Sequence, residues 1–584
     1  MNDETTSAAE EAGSVVVRLP SNTANGRARE TALKSAGIGA KTSTSLVGYR
    51  SSGDLLVIDK FRSVDDEERA VQLAETLSNR LRCTVLIGGL AQTEPEQRGD
   101  SGLSTNGITV AVGRLAQLTG HLGQFTAYLS VEGGQVNLAQ YLRTGREHFD
   151  LVLDLTVPPY FRQDTLPLGY YAPGDNAEAL GRALAELPEM VGEFEKPKFF
   201  NYDPDICAHG NRGVTGCTRC LNVCPTMAIS SIGDKIEVDP YLCQGGGSCA
   251  TACPTGAITY AYPAVSDLLD AVRGVVKGYR QAGGTRPSLL FHDAEAGRQA
   301  LTRVVTQLPD HIIPFEVEEV GAVGMDTWLA ALAYGATHVV LLATPAVPAS
   351  VRGELAAQLE YTAAILEGMG HSRERLQLVA PEHDAELLET LQGLPPQPEL
   401  RPASFAGLNE KRTTIRLAVD HLYGQAPTPT AVAALPAGAP FGEIEVDRAG
   451  CTLCMACASV CPHSALSDGA ELPQLLFDEW NCVQCGLCAT ACPENVITLA
   501  PRFIYDSEMQ RATRTLNEEA PFCCIVCGKP FATQSMMTKI QEKLKDHWMF
   551  KAPENVRRMQ MCEDCRVKDM FMQEGGMTDV HRKP

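Results

Sequence analysis

The chain has 584 residues, enough for about three or four domains. Its formal net charge of −21 at pH 7 argues against nucleic acid as a partner, because a phosphate backbone binds basic surfaces. No apolar run approaches the ~18 residues of a membrane span, and the acidic N-terminus lacks the apolar core of a signal peptide. We therefore expect a cytoplasmic protein without a membrane span, in which the 21 cysteines stay reduced and the clustered ones bind metal.

The N-terminal third shows a polar tail followed by alternating strand and helix patterns. Residues 1–50 are rich in Ser, Thr, Ala and Gly, and we expect a disordered tail there. From 51 to 195, apolar strand patterns alternate with helical spacing, which predicts an N-terminal α/β domain without a nucleotide-binding fingerprint. Cys83 begins one of these strands and is interpreted as a buried structural cysteine.

A first cysteine-rich module spans 200–262. The spacing C-x2-C-x2-C-x3-C-P holds [4Fe–4S] clusters, with three cysteines on one cluster and the fourth on its neighbour. In the first half of this module, nine residues replace the usual two after the first cysteine. Because this insertion, AHGNRGVTG, contains Gly and Asn, we expect it to loop out, with His209 as a solvated loop residue. The cysteines of this half are Cys207, Cys217, Cys220 and Cys224.

The second half of this module, CQGGGSCATACP, lacks one ligand. Its cysteines are in register, but Gly246 stands where the second cysteine belongs. Crossed ligation then predicts one complete [4Fe–4S] site and one site with three thiolates. We expect the incomplete site to hold a [3Fe–4S] cluster or a three-thiolate [4Fe–4S] cluster; an empty, degenerate site is the alternative. The complete set is Cys207, Cys217, Cys220 and Cys253, and the incomplete set is Cys224, Cys243 and Cys249.

The centre of the chain contains no cysteine between Cys253 and Cys451. Between 285 and 380, four apolar strand patterns alternate with helical segments, which predicts a flavodoxin-like parallel α/β domain. No G-x-G-x-x-G or Walker A motif follows these strands, so nucleotide binding is not supported. Residues 395–442 are rich in Pro, Ala and Thr and predict a linker, interrupted by a helix at about 410–423.

The second cysteine-rich module, 443–502, carries two regular motifs, CTLCMACASVCP and CVQCGLCATACP. A disulfide framework or a pair of zinc knuckles is the alternative to iron–sulfur clusters, but a proline after each fourth cysteine argues against both. We expect two further [4Fe–4S] clusters here. Crossed ligation assigns Cys451, Cys454, Cys457 and Cys492 to one of them, and Cys461, Cys482, Cys485 and Cys488 to the other.

The C-terminal segment, 521–570, contains two C-x2-C knuckles, the arrangement of a tetrathiolate zinc site. A mononuclear iron of the rubredoxin type uses the same ligands and is the alternative. Cys523 is spare in this assignment. The expected ligands of Zn²⁺ are Cys524, Cys527, Cys562 and Cys565.

These motifs support resemblances to three families. The two modules resemble bacterial-type 2[4Fe–4S] ferredoxins, and the first looks like their seven-iron variant, which lacks the same second cysteine. The segment AALAYGATHVVLLA, with the long helix and ERLQLV that follow it, looks like the delta subunit of methyl-viologen-reducing hydrogenase. The overall order is similar to proteobacterial polyferredoxins associated with formate dehydrogenase systems. These resemblances imply redox protein partners, formate dehydrogenase or a related oxidoreductase among them.

The expected fold is an α/β multidomain protein with two ferredoxin-like modules flanking the flavodoxin-like domain, preceded by the N-terminal α/β domain and followed by the zinc-knuckle segment. We find no catalytic triad, flavin or nicotinamide motif, and no H-E-x-x-H. The first hypothesis is therefore an electron carrier that passes single electrons between partner redox proteins and leaves substrate chemistry to a partner. The second is a redox- or iron-sensing accessory or maturation factor whose clusters and zinc are structural or regulatory.

Overall fold

A computed structural model describes residues 19, 22–35, 44–60, 64–88, 108–143, 145–469 and 472–573. The chain folds into two compact units, each built from segments that are separated in the sequence. The first unit comprises Met1–Thr42, Pro263–Val347 and His371–Ala426, and the second comprises Ser43–Tyr262, Pro348–Gly370 and Pro427–Pro584.

The first unit is built on a four-stranded parallel sheet. Its strands are apolar and largely buried, as expected for a parallel sheet that is covered on both faces. The predicted strand–helix alternation and parallel pairing are confirmed. In chain order the strands are Ser288–Asp293, Ile312–Val317, His338–Leu342 and Leu376–Val379, and in the sheet the second lies at one edge, followed by the first, third and fourth. The helices of the unit are Ala24–Ser35, Val265–Gln281, Ala296–Val304, Met325–Ala333, Asp384–Gln392 and Lys411–Tyr423.

The predicted tail contains a packed helix, so the prediction of disorder over 1–50 is wrong for Ala24–Ser35. This helix packs on Val265–Gln281 with Ala28 and Ala32 fully buried. Arg29 is buried as well, and its Nη1 donates to the carbonyls of Pro309 and Ile312 at 3.0 Å each. Small side chains allow this close packing but carry little hydrophobic signal. The tail residues 1–18, 20–21 and 36–43 lie outside the described residues.

The predicted linker is also partly a core element. The helix expected at about 410–423 is present as Lys411–Tyr423 and packs on Met325–Ala333. Ile415, Ala418, Val419 and Leu422 on it are buried, so this part of 395–442 contributes to the hydrophobic core of the first unit.

The second unit begins with the N-terminal α/β region. Its main sheet has five parallel strands, in the order Thr109–Val112, Arg82–Gly88, Asp54–Lys60, Leu151–Asp154 and Tyr170–Tyr171. Cys83 is buried in this sheet. An antiparallel sheet contains Leu115–Thr119, Thr126–Val131 and Gly134–Asn137, and an antiparallel pair contains Leu46–Ser51 and Gly192–Pro197. The helices are Val64–Leu77, Leu138–Tyr141 and Ala177–Glu186.

The two cysteine-rich modules repeat one strand arrangement within this unit. Each has an outer and an inner antiparallel pair, and in each the inner pair lies between the two cysteine motifs along the chain. The pairs are Phe200–Tyr202 with Ile258–Tyr260 and Ile229–Ile232 with Lys235–Val238 in the first module, and Gly442–Val446 with Ile497–Ile504 and Leu466–Asp468 with Gln474–Asp478 in the second. The helices are Arg219–Val223, Ser248–Ala252, Ala456–Ser459 and Leu487–Ala491.

Further elements complete the second unit. Val432–Ala434 and Thr513–Glu518 extend the two sheets of the second module, and Ser507–Arg511 is a short helix. The long helix Ala349–Gly368 packs on the two short helices of the first module and on Val432–Ala434. Tyr505 helps to hold it, because its hydroxyl donates to the Ile365 carbonyl at 2.6 Å. The C-terminal elements are the paired strands Pro521–Cys523 and Pro530–Thr533 and the helices Gln534–Leu544, Pro553–Met559 and Glu563–Gln573.

In the described part of the chain, every helix is too short or too polar to cross a lipid bilayer.

Candidate metal centres

The structure groups fifteen cysteines of the two modules into four sets, which we name sites A to D. Each set combines cysteines from one motif with the fourth cysteine of the paired motif, as crossed ligation predicts. Site A is Cys224, Cys243 and Cys249; site B is Cys207, Cys217, Cys220 and Cys253; site C is Cys461, Cys482, Cys485 and Cys488; site D is Cys451, Cys454, Cys457 and Cys492.

The four cysteines of each complete set line one cavity. Sites B, C and D are three separate cavities of this kind. The remaining walls are largely apolar and include Ile236 and Ile258 at site B and Phe477 at site C. Soft thiolate donors around an apolar cavity are the donor set that iron–sulfur clusters require. The residues of sites B, C and D therefore fit a [4Fe–4S] cluster.

The cluster-binding loops share a backbone pattern that turns successive groups toward one centre. In the two regular loops, the residues on either side of the second cysteine have positive φ: Leu453 (51°) and Met455 (59°) around Cys454, and Gln484 (53°) and Gly486 (81°) around Cys485. Non-glycine residues adopt this conformation only when the surrounding structure requires it. The surrounding structure therefore holds these loops in a strained backbone shape around sites C and D.

The irregular loop of site A keeps this backbone shape. Gly245 (φ 82°) and Gly247 (φ 71°) flank Gly246 as the left-handed residues flank Cys454 and Cys485. Gly246 itself does not have positive φ, and a Cβ added to it would lie 3.3 Å from Cγ of Pro225, a tight contact that a small shift would relieve. The loop has therefore lost the thiol but not the geometry of a cluster-binding loop.

Burial makes these thiols difficult to ionise on their own. Burial, as the largest cause, and neighbouring thiols together raise the pKa values of Cys220, Cys457 and Cys485 to about 12. Burial also raises the pKa of Cys249 well above its usual range. Several adjacent thiolates at neutral pH need a compensating positive charge, which bound iron supplies.

Hydrogen bonds to sulfur stabilise the thiolate form. The backbone N–H of Ala228 donates to Sγ of Cys224 and that of Ala465 donates to Sγ of Cys461, both at 3.3 Å. Each is the fourth cysteine of its motif, so the two modules use the same contact. Such hydrogen bonds also tune the reduction potential of a cluster.

His209 is a buried residue, so its interpretation as a solvated loop histidine is wrong. It is 2% exposed, with Nδ1 2.9 Å from the Cys217 carbonyl and Nε2 2.7 Å from the Ser231 hydroxyl. It lines the cavity of site B together with the four cysteines. The sequence of the Gly-rich insertion does not indicate that His209 is buried. Its burial depends on Ser231, which lies in the later strand Ile229–Ile232.

The N-terminal α/β region contacts site A, which the sequence did not predict. Nζ of Lys196 donates to the carbonyls of Cys243 at 2.6 Å and Tyr241 at 2.9 Å. The Tyr49 hydroxyl donates to the same Tyr241 carbonyl at 2.7 Å, and the Thr165 N–H donates to the Pro225 carbonyl at 2.9 Å. These contacts hold both cysteine segments of site A against the N-terminal α/β region.

The four sites follow one another in space. The Cys220 thiol of site B is near enough to raise the pKa of Cys249 in site A, after burial as the main cause. In the same way Cys217 of site B adds to the raised pKa of Cys485 in site C, and Cys457 of site D adds to that of Cys488 in site C. These electrostatic effects between thiols place the neighbouring sites in the order A, B, C, D.

The C-terminal cysteines form a much tighter group. The sulfur atoms of Cys524, Cys527, Cys562 and Cys565 all lie within 4.8 Å of one another, and Cys527 and Cys562 are 3.6 Å apart. A tetrahedral Zn²⁺ with Zn–S distances near 2.3 Å places its sulfurs about 3.8 Å apart. The group therefore fits a single ion. Cys523 is exposed and is not part of it.

Two family models match these modules: a 4Fe-4S dicluster domain over residues 450–496, and a 4Fe-4S binding domain over residues 236–259. The chain carries two ferredoxin-type 4Fe–4S domains. It is also similar to hydrogenase-4 component A of Escherichia coli (strain K12), with 41% identity over 56 residues. The match covers 10% of this chain and 25% of that protein, so the chain spans about a quarter of the length of this curated relative. Together these findings identify an iron–sulfur protein.

Proposed function

We propose that this chain is a polyferredoxin: an electron-transfer protein that carries single electrons between redox partners through clusters at sites A to D. The observation that carries the proposal is the set of three apolar cavities, each lined by four cysteines of crossed motifs. The matched ferredoxin-type domains support it. The ligands of the three [4Fe–4S] clusters are the cysteines of sites B, C and D.

Site A, in this proposal, holds a [3Fe–4S] cluster on Cys224, Cys243 and Cys249. The loop backbone around Gly246 supports occupancy, because Gly245 and Gly247 have the left-handed conformations found beside the second cysteine in the regular loops. A three-thiolate [4Fe–4S] cluster is the alternative, and EPR of the oxidised protein separates the two.

The partner, in this proposal, is a cytoplasmic oxidoreductase such as a hydrogenase or formate dehydrogenase, to which this chain supplies or from which it removes electrons. The similarity to a protein named as a hydrogenase component supports this class of partner. Co-purification from an anaerobic extract identifies it: recovery with an oxidoreductase is expected, and recovery with proteins that have no redox centre would contradict the proposal.

Anaerobic reconstitution followed by iron and sulfide analysis, EPR and potentiometry tests the proposed function. Three [4Fe–4S] clusters and one [3Fe–4S] cluster give about 15 iron atoms per chain. We expect clusters that are reduced at accessible potentials and rapidly reoxidised by an added redox acceptor. Clusters that cannot be reduced would contradict an electron carrier and favour the sensing or maturation role.

The group of four cysteines near the C-terminus, we further propose, binds a structural Zn²⁺. A closed tetrathiolate site with short sulfur–sulfur distances supports zinc over a cluster. Metal analysis of the purified protein should give one zinc per chain, whereas a red, iron-containing mononuclear site would show the rubredoxin alternative to be correct.

A further inference from the structure

The insertion after Cys207 is a defined β-hairpin. Gly210–Asn211 pairs antiparallel with Val214–Thr215, and the two residues between them, Arg212 and Gly213, both have positive φ (53° and 76°). This is the geometry of a two-residue type I′ turn. Backbone bonds close its base, from Gly216 N–H to the His209 carbonyl and from Cys217 N–H to the Ala208 carbonyl. The insertion therefore leaves the cysteine loop, as expected, but as an ordered hairpin and not as an irregular loop.

One face of this hairpin lies on the second module. Val214–Thr215 packs against the helix Leu487–Ala491, which carries Cys488 of site C. The Asn211 side chain donates from Nδ2 to the Val460 carbonyl at 3.3 Å, immediately before Cys461 of the same site. The hairpin therefore contacts both segments that supply site C.

Gly216 makes this close approach possible. A Cβ added to Gly216 would lie 2.5 Å from Cγ of Leu487, and Leu487 is fully buried. Gly216 does not have positive φ, so the requirement for glycine here is space and not backbone conformation. Cys217 of site B follows Gly216 directly, and Cys485 of site C lies two residues before Leu487. The contact therefore brings sites B and C together.

We propose that the inserted hairpin is the docking element that joins the two ferredoxin modules, so that sites B and C become neighbours and sites A to D form one continuous electron path. This inference rests on the proposed function. One electron moves between adjacent sites, oxidising the first and reducing the second, without a change in bonds or protons. Partner redox proteins supply and remove that electron at the ends of the path. Without the hairpin, the segments that supply sites B and C would lose this direct contact, although the helix Ala349–Gly368 would still pack on both modules.

The test is Gly216→Leu, with Gly353→Leu as matched control, because a Cβ at the exposed helical Gly353 would meet nothing within 4 Å. Two readouts are used: magnetic interaction between reduced clusters by EPR, and hydrogen exchange of residues 487–491 by mass spectrometry. We expect Gly216→Leu to retain its iron, to lose the part of the interaction that arises between the modules, and to show faster exchange at 487–491. Gly353→Leu should match wild type in all three.

A second variant tests the same proposal if Gly216→Leu does not fold. Replacing 208–216 by two residues restores a regular C-x2-C spacing and removes the hairpin; it should keep the iron of both modules and lose the same part of the interaction. Combining Gly216→Leu with Leu487→Ala should recover part of the lost signal, because space is returned at the contact. Normal clusters with unchanged interaction and exchange in Gly216→Leu would overturn the docking role alone. Absence of reducible clusters in wild type would instead contradict the proposed function.

Discussion

Gly246 removes a thiol ligand from site A without changing the backbone conformation of the loop. The glycines beside it keep the left-handed conformations that surround the second cysteine in the regular loops, and its own backbone is open to any residue. A thiol at this position would point toward the site with one tight contact, to Pro225. Gly246 therefore removes one thiol ligand from a loop whose backbone is otherwise that of the regular loops.

Gly246→Cys should convert site A to a four-thiolate [4Fe–4S] site. We expect the EPR signal of an oxidised [3Fe–4S] cluster in wild type to disappear in the variant, with a gain of about one iron per chain. Gly246→Ala is the control, because it fills the same space without a thiol and should keep the three-iron signal. A wild-type protein that already shows four cubanes would make the three-iron assignment wrong.

Glu319, just beyond the strand Ile312–Val317, gives the first unit a pH dependence. Burial, as the largest cause, and the nearby carboxylates of Asp293, Glu295 and Glu318 together raise its pKa to about 7. Because the folded pKa lies above the unfolded value near 4.5, the folded unit resists ionisation. This contribution to stability is complete below pH 4.5 and is lost as the pH rises to 7 and above.

Glu319→Gln should remove that loss, making the first unit more stable than wild type at pH 8 by about 2–3 kcal/mol and little different at pH 4. Urea denaturation followed by hydrogen exchange in peptides of residues 312–342 measures it. Glu389→Gln, at an exposed helical position of the same unit, should show no such pH-dependent gain. An equal gain at both pH values would show that burial of the charge is not the cause.

At the scale of elements, two segments with little hydrophobic pattern in their sequence pack against distant parts of the chain. The insertion after Cys207 was expected to loop out, and it does so as a hairpin that packs against Leu487–Ala491. The helix Ala24–Ser35 was expected to be disordered, yet a buried arginine anchors it. In both cases the stabilising partners lie more than 200 residues away, so no local pattern could reveal them.

The C-terminal four-cysteine element should lose its metal when one knuckle is broken. We expect Cys562→Ser to lose about one metal ion per chain and to expose the helix Glu563–Gln573 to protease, because Cys562 is buried among the other three ligands. Cys523→Ser is the matched control: Cys523 is adjacent to a ligand in sequence but exposed, and its loss should leave the metal content unchanged. Unchanged metal in Cys562→Ser would refute the ligand set.

At the scale of the second unit, the two ends of the row of sites have different neighbours. Site A contacts the N-terminal α/β region through Lys196. Site D contacts the C-terminal element: the Thr533 hydroxyl donates to the Thr452 carbonyl, and Nζ of Lys539 donates to the Gly450 carbonyl, both at 2.8 Å. Cys454 at site D is exposed, unlike the other cluster cysteines. We infer that site D is the end at which electrons enter or leave.

Lys539→Met should make site D more accessible, because Lys539 ties the helix Gln534–Leu544 to the loop before Cys451 and to Glu494. The expected result is faster bimolecular oxidation of the reduced protein by ferricyanide, measured by stopped flow. Lys545→Met makes the same charge change at the exposed residue that follows that helix and should not accelerate the reaction. If ferricyanide oxidised both variants at the same rate, the contacts of Lys539 would not limit access to site D.

The sequence alone determined the chemistry of the sites and most of the regular structure. Cluster ligands lie two or three residues apart, so the loop that holds them is encoded locally, and both the cysteine sets and the missing ligand at Gly246 are readable from spacing. Parallel strands likewise carry their own apolar pattern. The tertiary structure alone decided the burial of His209, the contact of Lys196 with site A, and the order of the four sites. These depend on contacts between segments far apart in the chain, above all on Gly216 against Leu487, and such contacts leave no periodic or spaced signal in the sequence.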